Sequence, residues 1–177
     1  LCDTFPHFKN MESLSLNFSY SKINDQEIVN LGTSLNNLVR LKSLCLNFNS
    51  CKQVTDIGLC PLVENLKKYQ DLNELEFNLQ GCSNLSNRTI FSISQNLKLM
   101  KKLTRLSLNI EGYKEINDDG FAELGEALKT SRDLQQLNLN FNHCPNLTTN
   151  GFEAIMKPLS KQKDLKVLKL HFYSCVK

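Results

Sequence analysis

The sequence has no tryptophan, few glycines and few prolines, and these shortages exclude several kinds of protein. Seven glycines in 177 residues form no glycine-rich loop that would hold a phosphate. No stretch approaches the roughly 20 consecutive apolar residues of a membrane-spanning helix, so we expect no membrane insertion. The formal net charge is only +3, which is too small to indicate a nucleic-acid-binding protein.

Seven cysteines are many for this length, but their spacing does not indicate a metal site. Their number is odd, and no two pairs stand at the spacing of a zinc finger or zinc ribbon. Four of them share one repeat position, which favours reduced structural thiols. We therefore expect a reducing, cytoplasmic location, and neither a metal nor another cofactor.

A short pattern of alternating apolar and polar residues recurs along the chain. The first copy spans residues 14–18 (LSLNF) and the last spans residues 168–172 (LKLHF). The six copies follow one another at steps of 30, 31, 31, 31 and 31 residues. Alternation over five residues predicts a short strand with one buried face.

The second half of each repeat predicts a helix. Phe121, Leu124 and Leu128 lie at offsets of 3 and 4 residues, which places them on one helix stripe. The other repeats have the same pattern, with Ile28, Leu31, Leu35; Leu59, Leu62, Leu66; Ile90, Ile93, Leu97; and Phe152, Ile155, Leu159. Good N-cap residues precede all five helices: Asn24, Thr55, Ser86, Asn117 and Thr148. Aspartate follows the cap in three repeats, where it suits the helix dipole: Asp25, Asp56 and Asp118.

Each repeat is therefore a strand, a loop, a helix and a return. Parallel strands lie about 4.8 Å apart and helices about twice as far apart, so a stack of such units must curve. We predict an α/β solenoid shaped like a horseshoe, with a six-stranded parallel sheet on the concave face and helices on the convex face.

The repeats resemble a known family. Residues 41–46 (LKSLCL) are similar to the LxxLxL core of leucine-rich repeats. Residues 51–59 (CKQVTDIGL) resemble the cysteine-containing subtype found behind F-boxes. The length of the repeat, 31 residues, is closer to the ribonuclease-inhibitor type. The LxLNF strands are similar to repeats of ciliate proteins. One departure is an extra inward residue after each strand, at Phe18, Phe48, Leu79, Ile110, Phe141 and Phe172.

We assign residues 1–177 to one domain. It has a partial repeat at 1–10, repeats starting at 11, 41, 72, 103 and 134, and a partial repeat at 165–177. Leu1 and Phe5 align with helical positions of the other repeats. We expect a longer solenoid, or another subunit, in contact with both ends. Without such a cover Leu165, Leu168, Leu170 and Phe172 would be partly exposed.

Two repeat positions form columns of similar residues across the repeats. The first holds Ser21, Cys51, Cys82, Tyr113, Cys144 and Cys175, and we interpret it as small buried residues, since tyrosine and serine do not suit a metal site. The second holds Asn17, Asn47, Asn78, Asn109, Asn140 and His171. Strand alternation places this second column on the concave face. It is either an asparagine ladder with amides hydrogen-bonded from strand to strand, or a polar binding floor, or both.

The concave face is the candidate binding surface. The residues that we select for it are Asn47, Asn78, Asn109, Asn140, His171, Glu76, Glu111 and Tyr173. We expect an acidic centre around Glu74, Glu76 and Glu111. Aromatic and arginine anchors, which dominate tight interfaces, are scarce there.

No group of residues in the sequence matches a catalytic site, so we expect a non-enzymatic scaffold that binds another protein, with no nucleic-acid partner. Repeats of the ribonuclease-inhibitor type include GTPase activators, for which Arg88 is the candidate arginine. The F-box resemblance offers a third hypothesis, the substrate receptor of a ubiquitin ligase.

Overall fold

The computed structural model describes residues 5–175, and these form alternating strands and helices. The strands are β1 (Ser13–Asn17), β2 (Ser43–Asn47), β3 (Glu74–Asn78), β4 (Arg105–Asn109), β5 (Gln136–Asn140) and β6 (Val167–His171). The α-helices are α1 (Asp25–Leu35), α2 (Asp56–Asn65), α3 (Asn87–Leu97), α4 (Asp118–Thr130) and α5 (Thr149–Leu159). Two short 3-10 helices span Phe5–His7 and Leu66–Lys68.

The six strands form one parallel sheet in the order of the sequence. Equivalent residues of successive repeats are paired, so that Leu44 lies beside Leu14 and Leu75, and Asn47 lies beside Asn17 and Asn78. The predicted architecture of a six-stranded parallel sheet with helices on one side is therefore confirmed. Leu1 lies outside the described residues, and Phe5, which aligns with a helical position, lies in a 3-10 helix and is buried.

All five predicted N-caps are confirmed. Asn24, Thr55, Ser86, Asn117 and Thr148 have extended backbones, and each side-chain oxygen accepts a backbone N–H from the first helical turn. In α1 the Glu27 side chain also accepts the backbone N–H of Asn24, which completes a capping box. The helix starts are thus determined by residues adjacent in the chain.

The extra residue after each strand is buried as predicted. Phe48, Leu79, Ile110 and Phe141 are fully buried. They lie one residue beyond the strands, and their backbone N–H groups still donate to the next repeat, as Phe48 N does to the carbonyl of Asn78 at 2.8 Å. Phe18 and Phe172, in the first and last described repeats, are only partly buried.

The last described repeat is less buried than the others. Leu168 is 44% exposed, whereas the equivalent Leu137 is 1% exposed. Phe152 was predicted to lie in the buried helix stripe but is 37% exposed, because α5 is the last helix of the described residues. Its ring makes an edge-to-face contact with Phe172, at 5.0 Å between centroids. Leu165 and Leu170 are likewise only partly buried.

The cysteine column links each repeat to the previous one. From Cys51 onward, the side chain of this column donates a hydrogen bond to the carbonyl oxygen of the extra inward residue one repeat earlier: Cys51 to Phe18 (3.0 Å), Cys82 to Phe48 (3.0 Å), Tyr113 to Leu79 (3.1 Å), Cys144 to Ile110 (3.4 Å) and Cys175 to Phe141 (2.7 Å). Burial raises the pKa of Cys82 and of Cys144 to about 12, so both thiols stay protonated donors. The interpretation as buried structural residues is confirmed, and the described residues hold no cluster suited to a metal ion.

The aspartates at the helix starts make a contact that sequence analysis missed. The Asp25 carboxylate accepts the backbone N–H of Thr55 at 2.8 Å and the Thr55 hydroxyl at 2.6 Å. Asp118 accepts the same two groups of Thr148, one repeat later. In the third repeat Asn87 replaces aspartate, and its amide exchanges hydrogen bonds with Asn117. The first residue of one helix therefore holds the N-cap of the next.

Small residues at the third helical position make this contact possible. A Cβ atom at Gly58 would lie 2.6 Å from the Asp25 Oδ1, and one at Gly151 would collide with the Asp118 carboxylate. Thr89 takes the same position in the third repeat, and its hydroxyl donates to Asp56 at 2.6 Å. The absence of a side chain at these glycines leaves room for a carboxylate from the neighbouring repeat.

Asp56 has the most hydrogen bonds of these carboxylates, and we expect Asp56→Asn to lower the free energy of unfolding at neutral pH by about 1–3 kcal/mol. Burial by itself raises the pKa of Asp56, but hydrogen bonds from Ser86 and Thr89 outweigh it and hold the pKa below its ordinary value of 3.8. The unfolded state therefore binds the proton more tightly. The stabilisation is complete above the unfolded pKa and is lost as pH falls through the folded pKa.

Urea unfolding followed by circular dichroism, from neutral pH down to about pH 3, checks this expectation, since Asp titrates near 3.9 in unfolded chains. The wild type should lose stability more steeply with acid than the Asp56→Asn variant. Asp119→Asn is the matched control, because Asp119 is exposed and its carboxylate accepts no hydrogen bond from another N-cap within residues 5–175. If the free energy of unfolding falls equally steeply with acid in the wild type and in Asp56→Asn, the lowered pKa of Asp56 is contradicted.

Candidate binding surface on the sheet

The eight candidate residues lie on or beside the concave face. Asn47, Asn78, Asn109, Asn140 and His171 are paired in register across five strands, opposite in direction to the buried leucines. The asparagines are half-buried and His171 is exposed. Glu76 is exposed in the middle of β3, and Glu111 and Tyr173 follow β4 and β6 by two residues. The structure therefore brings all eight to one side of the sheet.

The predicted asparagine ladder is wrong. Each Oδ1 instead accepts the backbone N–H two residues further along its own chain, as Asn47 Oδ1 does from Asn49 at 2.9 Å and Asn109 Oδ1 from Glu111 at 3.1 Å. The same bond forms at Asn17, Asn78 and Asn140. The reason is that the strand ends at this residue, where a short asparagine side chain stabilises the turn better than it can reach the next strand.

A left-handed residue completes this turn in every repeat. The residue three positions after the asparagine or histidine has a positive φ, between 57° and 85°, at Tyr20, Ser50, Gly81, Gly112, His143 and Ser174. Glycine adopts this conformation without steric cost, and it occupies two of the six positions. The turn directs the chain away from the sheet, so the asparagine column marks the edge of the concave face and not its floor.

The floor is formed by the strand residues before the asparagines. A shallow depression crosses β3 to β6, and its polar lining residues include Glu74, Glu76, Arg105, Ser107, Asn138 and Lys169. The Asn138 amide donates to the Ser107 hydroxyl at 3.2 Å. This is a strand-to-strand hydrogen bond of the kind expected for the asparagine ladder, but it is made by the residue two positions before the asparagine column. Strand alternation in the sequence predicts these positions on the concave face, and of them only Glu76 is among the eight selected candidate residues.

The acidic centre expected from the sequence is neutralised at one of its three carboxylates, Glu74. Arg105 Nη2 lies 2.8 Å from a Glu74 carboxylate oxygen, and the Ser43 hydroxyl donates to the same oxygen at 3.0 Å. The hydrogen bond from Arg105 is the main reason that the pKa of Glu74 is lowered. Both side chains are more than one-third exposed, so this pair is worth little stability. Residues 74 and 105 are paired in register, so a negative and a positive side chain lie next to each other on this face.

Two candidate residues have specific neighbours. Glu111 accepts a hydrogen bond from the Asn140 amide at 2.9 Å. Tyr173 is 74% exposed, and its ring makes an edge-to-face contact with His143 at 5.4 Å between centroids. Exposed aromatic rings that are held in place are the kind of side chain that anchors protein interfaces.

Cys45 is the cysteine of the concave face. It lies between Ser15 and Glu76 in the register of the sheet and is half-buried. Burial is the main cause that raises the pKa of its thiol, and Glu76 adds to the increase. A protonated thiol is a weak nucleophile, so this position does not have the properties of a catalytic cysteine.

Comparison with solved structures places the chain among known folds. No protein-family model matches the sequence, and no curated protein sequence matches it. The actin-binding site 2 domain of leiomodin-1 is 17% identical and superposes with a TM-score of 0.66, covering 92% of this chain and 87% of its own. The tropomodulin C-terminal domain of Caenorhabditis elegans is 11% identical, with a TM-score of 0.60 and coverage of 91% and 90%.

The fold is a leucine-rich repeat solenoid. This assignment rests on six paired parallel strands with the LxxLxL spacing. A helix follows each of the first five strands, and the described residues end soon after the sixth. An internalin of Listeria monocytogenes is also similar, at 19% identity over 97% of this chain and 44% of that chain, with a TM-score of 0.48. Among the described residues of this leucine-rich repeat chain, no helix is long and apolar enough to cross a membrane.

Proposed function

We propose that this chain is a non-catalytic scaffold that binds another protein through the concave face of its sheet. The observation that supports the proposal is the register of polar side chains across all six strands, from Ser15 and Asn17 to Lys169 and His171. These side chains remain at least partly exposed, whereas the other face of the sheet is packed with leucines. Concave surfaces of this kind are what repeat proteins use for binding.

The chemistry of the face favours a partner with mixed polar groups. Glu76 and Lys169 are exposed, and the Glu74–Arg105 pair lies beside Glu76 on β3 and β4. Tyr173 adds one exposed ring at the edge. We expect binding by hydrogen bonds and opposite charges around a few anchors, and therefore an affinity that depends on salt.

A non-catalytic role is supported by the state of the nucleophiles. Burial raises the pKa of Cys82, of Cys144 and of Cys45, and the first two donate to backbone carbonyls. The depression on the sheet is lined by carboxylates, amides and cations that are exposed to solvent or paired with each other. Catalysis would require a nucleophile activated by a base, or a carboxylate in an apolar environment.

Actin is a first partner to test, because the similar leiomodin-1 domain is named for an actin-binding site.

The proposal of a GTPase activator would require Arg88, which is exposed in the first turn of α3. An unchanged rate of GTP hydrolysis with Arg88→Ala would exclude that alternative. The ribonuclease-inhibitor type of repeat, the cytoplasmic location and the ubiquitin-ligase hypothesis remain proposals from the sequence.

The test is quantitative affinity purification with a tagged chain in which Glu76 is replaced by arginine. Glu76 is exposed at the centre of the concave face, so Glu76→Arg places a long cation there without altering the core. We expect proteins bound by the wild type to be depleted about tenfold or more, since like-charge contacts in an interface cost several kcal/mol. Co-sedimentation with purified actin is measured with the same pair.

Glu153→Arg is the matched control, because it makes the same change of charge at an exposed position of α5 on the convex side. It should retain the partners of the wild type. Partners that are retained by Glu76→Arg but lost with Glu153→Arg would show that binding occurs on the helices, and would reject the concave face.

A further inference from the structure

Positive charge is concentrated on one edge of the solenoid. In the last three complete repeats, the chain returns from helix to strand at residues 98–104, 129–135 and 157–166. These segments contain nine lysines and arginines and two aspartates. The loops and first helical turns on the opposite edge, residues 79–90, 110–121 and 141–153, contain two basic and five acidic residues. The small net charge of the chain therefore hides a strong asymmetry between its two edges.

The helix dipole explains only part of this asymmetry. Cations are favoured in the last turn of a helix, which accounts for Lys129 and Lys157. The effect falls off within that turn, yet Arg132, Lys161 and Lys163 lie beyond the ends of α4 and α5. All three are exposed, and none has an ion pair among the described residues.

These cations surround a groove between α4 and α5. Its floor includes the apolar Ala122, Ala154 and Pro158, and its walls include Lys129, Lys157 and Lys161. A second depression continues from it past Arg132 and Lys163, and a third lies between Lys129 and Lys101. The depressions are joined by the residues that they share, so they form one path, which we call the basic groove.

The groove exists because two helices approach closely over small residues. A Cβ atom at Gly125 would collide with the Ala154 carbonyl oxygen, so the backbones of α4 and α5 are nearly in contact there. Pro158 has no N–H to donate to that carbonyl, four residues earlier. The short side chains of Ala122 and Ala154 leave a furrow beside this contact, and the lysines stand around it.

We propose that the basic groove binds an acidic peptide segment of a partner protein, with an apolar side chain in the furrow and carboxylates facing the cations. The apolar floor suits a peptide side chain. Glu126, Asp133 and Asp164 also line the depressions, which disfavours a dense polyanion such as a nucleic acid. The aromatic rings on which bases stack are absent from the residues that line the groove within 5–175. This site is separate from the concave face.

The probe is a fluorescein-labelled heptapeptide with two glutamates on each side of a central leucine, titrated against the whole chain by fluorescence anisotropy. The test variant combines Arg132→Glu with Lys161→Glu. The matched control combines Lys67→Glu with Lys68→Glu, which makes the same change of charge at exposed residues on the same edge, but in the second repeat. All four side chains are exposed, and urea unfolding verifies that both variants fold.

We expect saturable binding that weakens with salt, a loss of about tenfold or more in the test variant, and a change of less than about twofold in the control. Peptides with glutamine for glutamate, or serine for leucine, should bind more weakly. Glu76→Arg should bind this peptide as the wild type does, so failure of the concave-face proposal and failure of this one are distinguishable.

Three results would overturn the inference. One is the absence of binding to the acidic peptide. Another is an equal loss in both charge-reversal variants, which would show attraction to the whole basic edge. The last is tighter binding of a thymine oligonucleotide than of the peptide, which would identify the groove as a nucleic-acid surface.

Discussion

Phe141→Ala is expected to lower the free energy of unfolding by about 3–5 kcal/mol. Phe141 is fully buried at the extra inward position after β5. Its ring packs edge to face on Phe121, at 4.9 Å between centroids, and against Phe172 at 5.4 Å. Alanine removes the buried ring and leaves a cavity between two repeats that can only partly close. Urea unfolding measured by circular dichroism gives the difference.

Phe18→Ala is the control, because Phe18 occupies the same repeat position after β1. Phe18 stacks on Phe48 at 5.5 Å but is only partly buried. We expect a loss of about 1–2 kcal/mol, since part of the ring is already in water in the native state. Losses of equal size in the two variants would mean that the extra position is not the buried core contact described above.

Gly125→Ala is expected to cost about 1–3 kcal/mol, although alanine is by itself the better helix former by about 1 kcal/mol. The new Cβ atom would collide with the Ala154 carbonyl, which belongs to the backbone of the next helix and cannot rotate away. The two helices must therefore separate. Thermal unfolding and urea unfolding should both show the loss.

The equivalent residue of α1, Gly32, gives the matched comparison. A Cβ atom there would lie 3.1 Å from the Leu62 Cα and 3.2 Å from the Asn65 amide nitrogen. A shift of a few tenths of an ångström relieves these contacts, so Gly32→Ala should cost much less than Gly125→Ala. A neutral or stabilising Gly125→Ala variant would contradict the close approach of α4 and α5.

Most of the fold follows from patterns within one repeat. The strands, the N-caps and the inward position of Phe48 were all predicted, because each depends on residues a few positions apart. Phe152 was predicted to be buried and is not, because burial depends on whether a further repeat covers the helix. The candidate residues lie on or beside the concave face, where the alternation of side chains along the strands predicted them.

The binding surface was less predictable in detail. From the sequence the asparagine column was either a ladder or a polar binding floor, and its role in the turn after each strand was not predicted, because that turn also depends on the left-handed residue three positions later. The acidic centre could not be judged from composition, because Glu74 and its partner Arg105 are 31 residues apart. The basic groove was not predicted from the sequence, because its cations are brought together only when α4 and α5 pack against each other.

The sequence by itself determined the 31-residue period, the order of strand and helix, and the column of cysteines and tyrosine that faces inward. The physical reason is that apolar spacing and capping act over a few residues. Only the tertiary structure decided which atoms meet between repeats: Asp56 with the next N-cap, Glu74 with Arg105, and Gly125 with Ala154. Those contacts depend on the stacking of one repeat on another, which brings together residues about 30 positions apart.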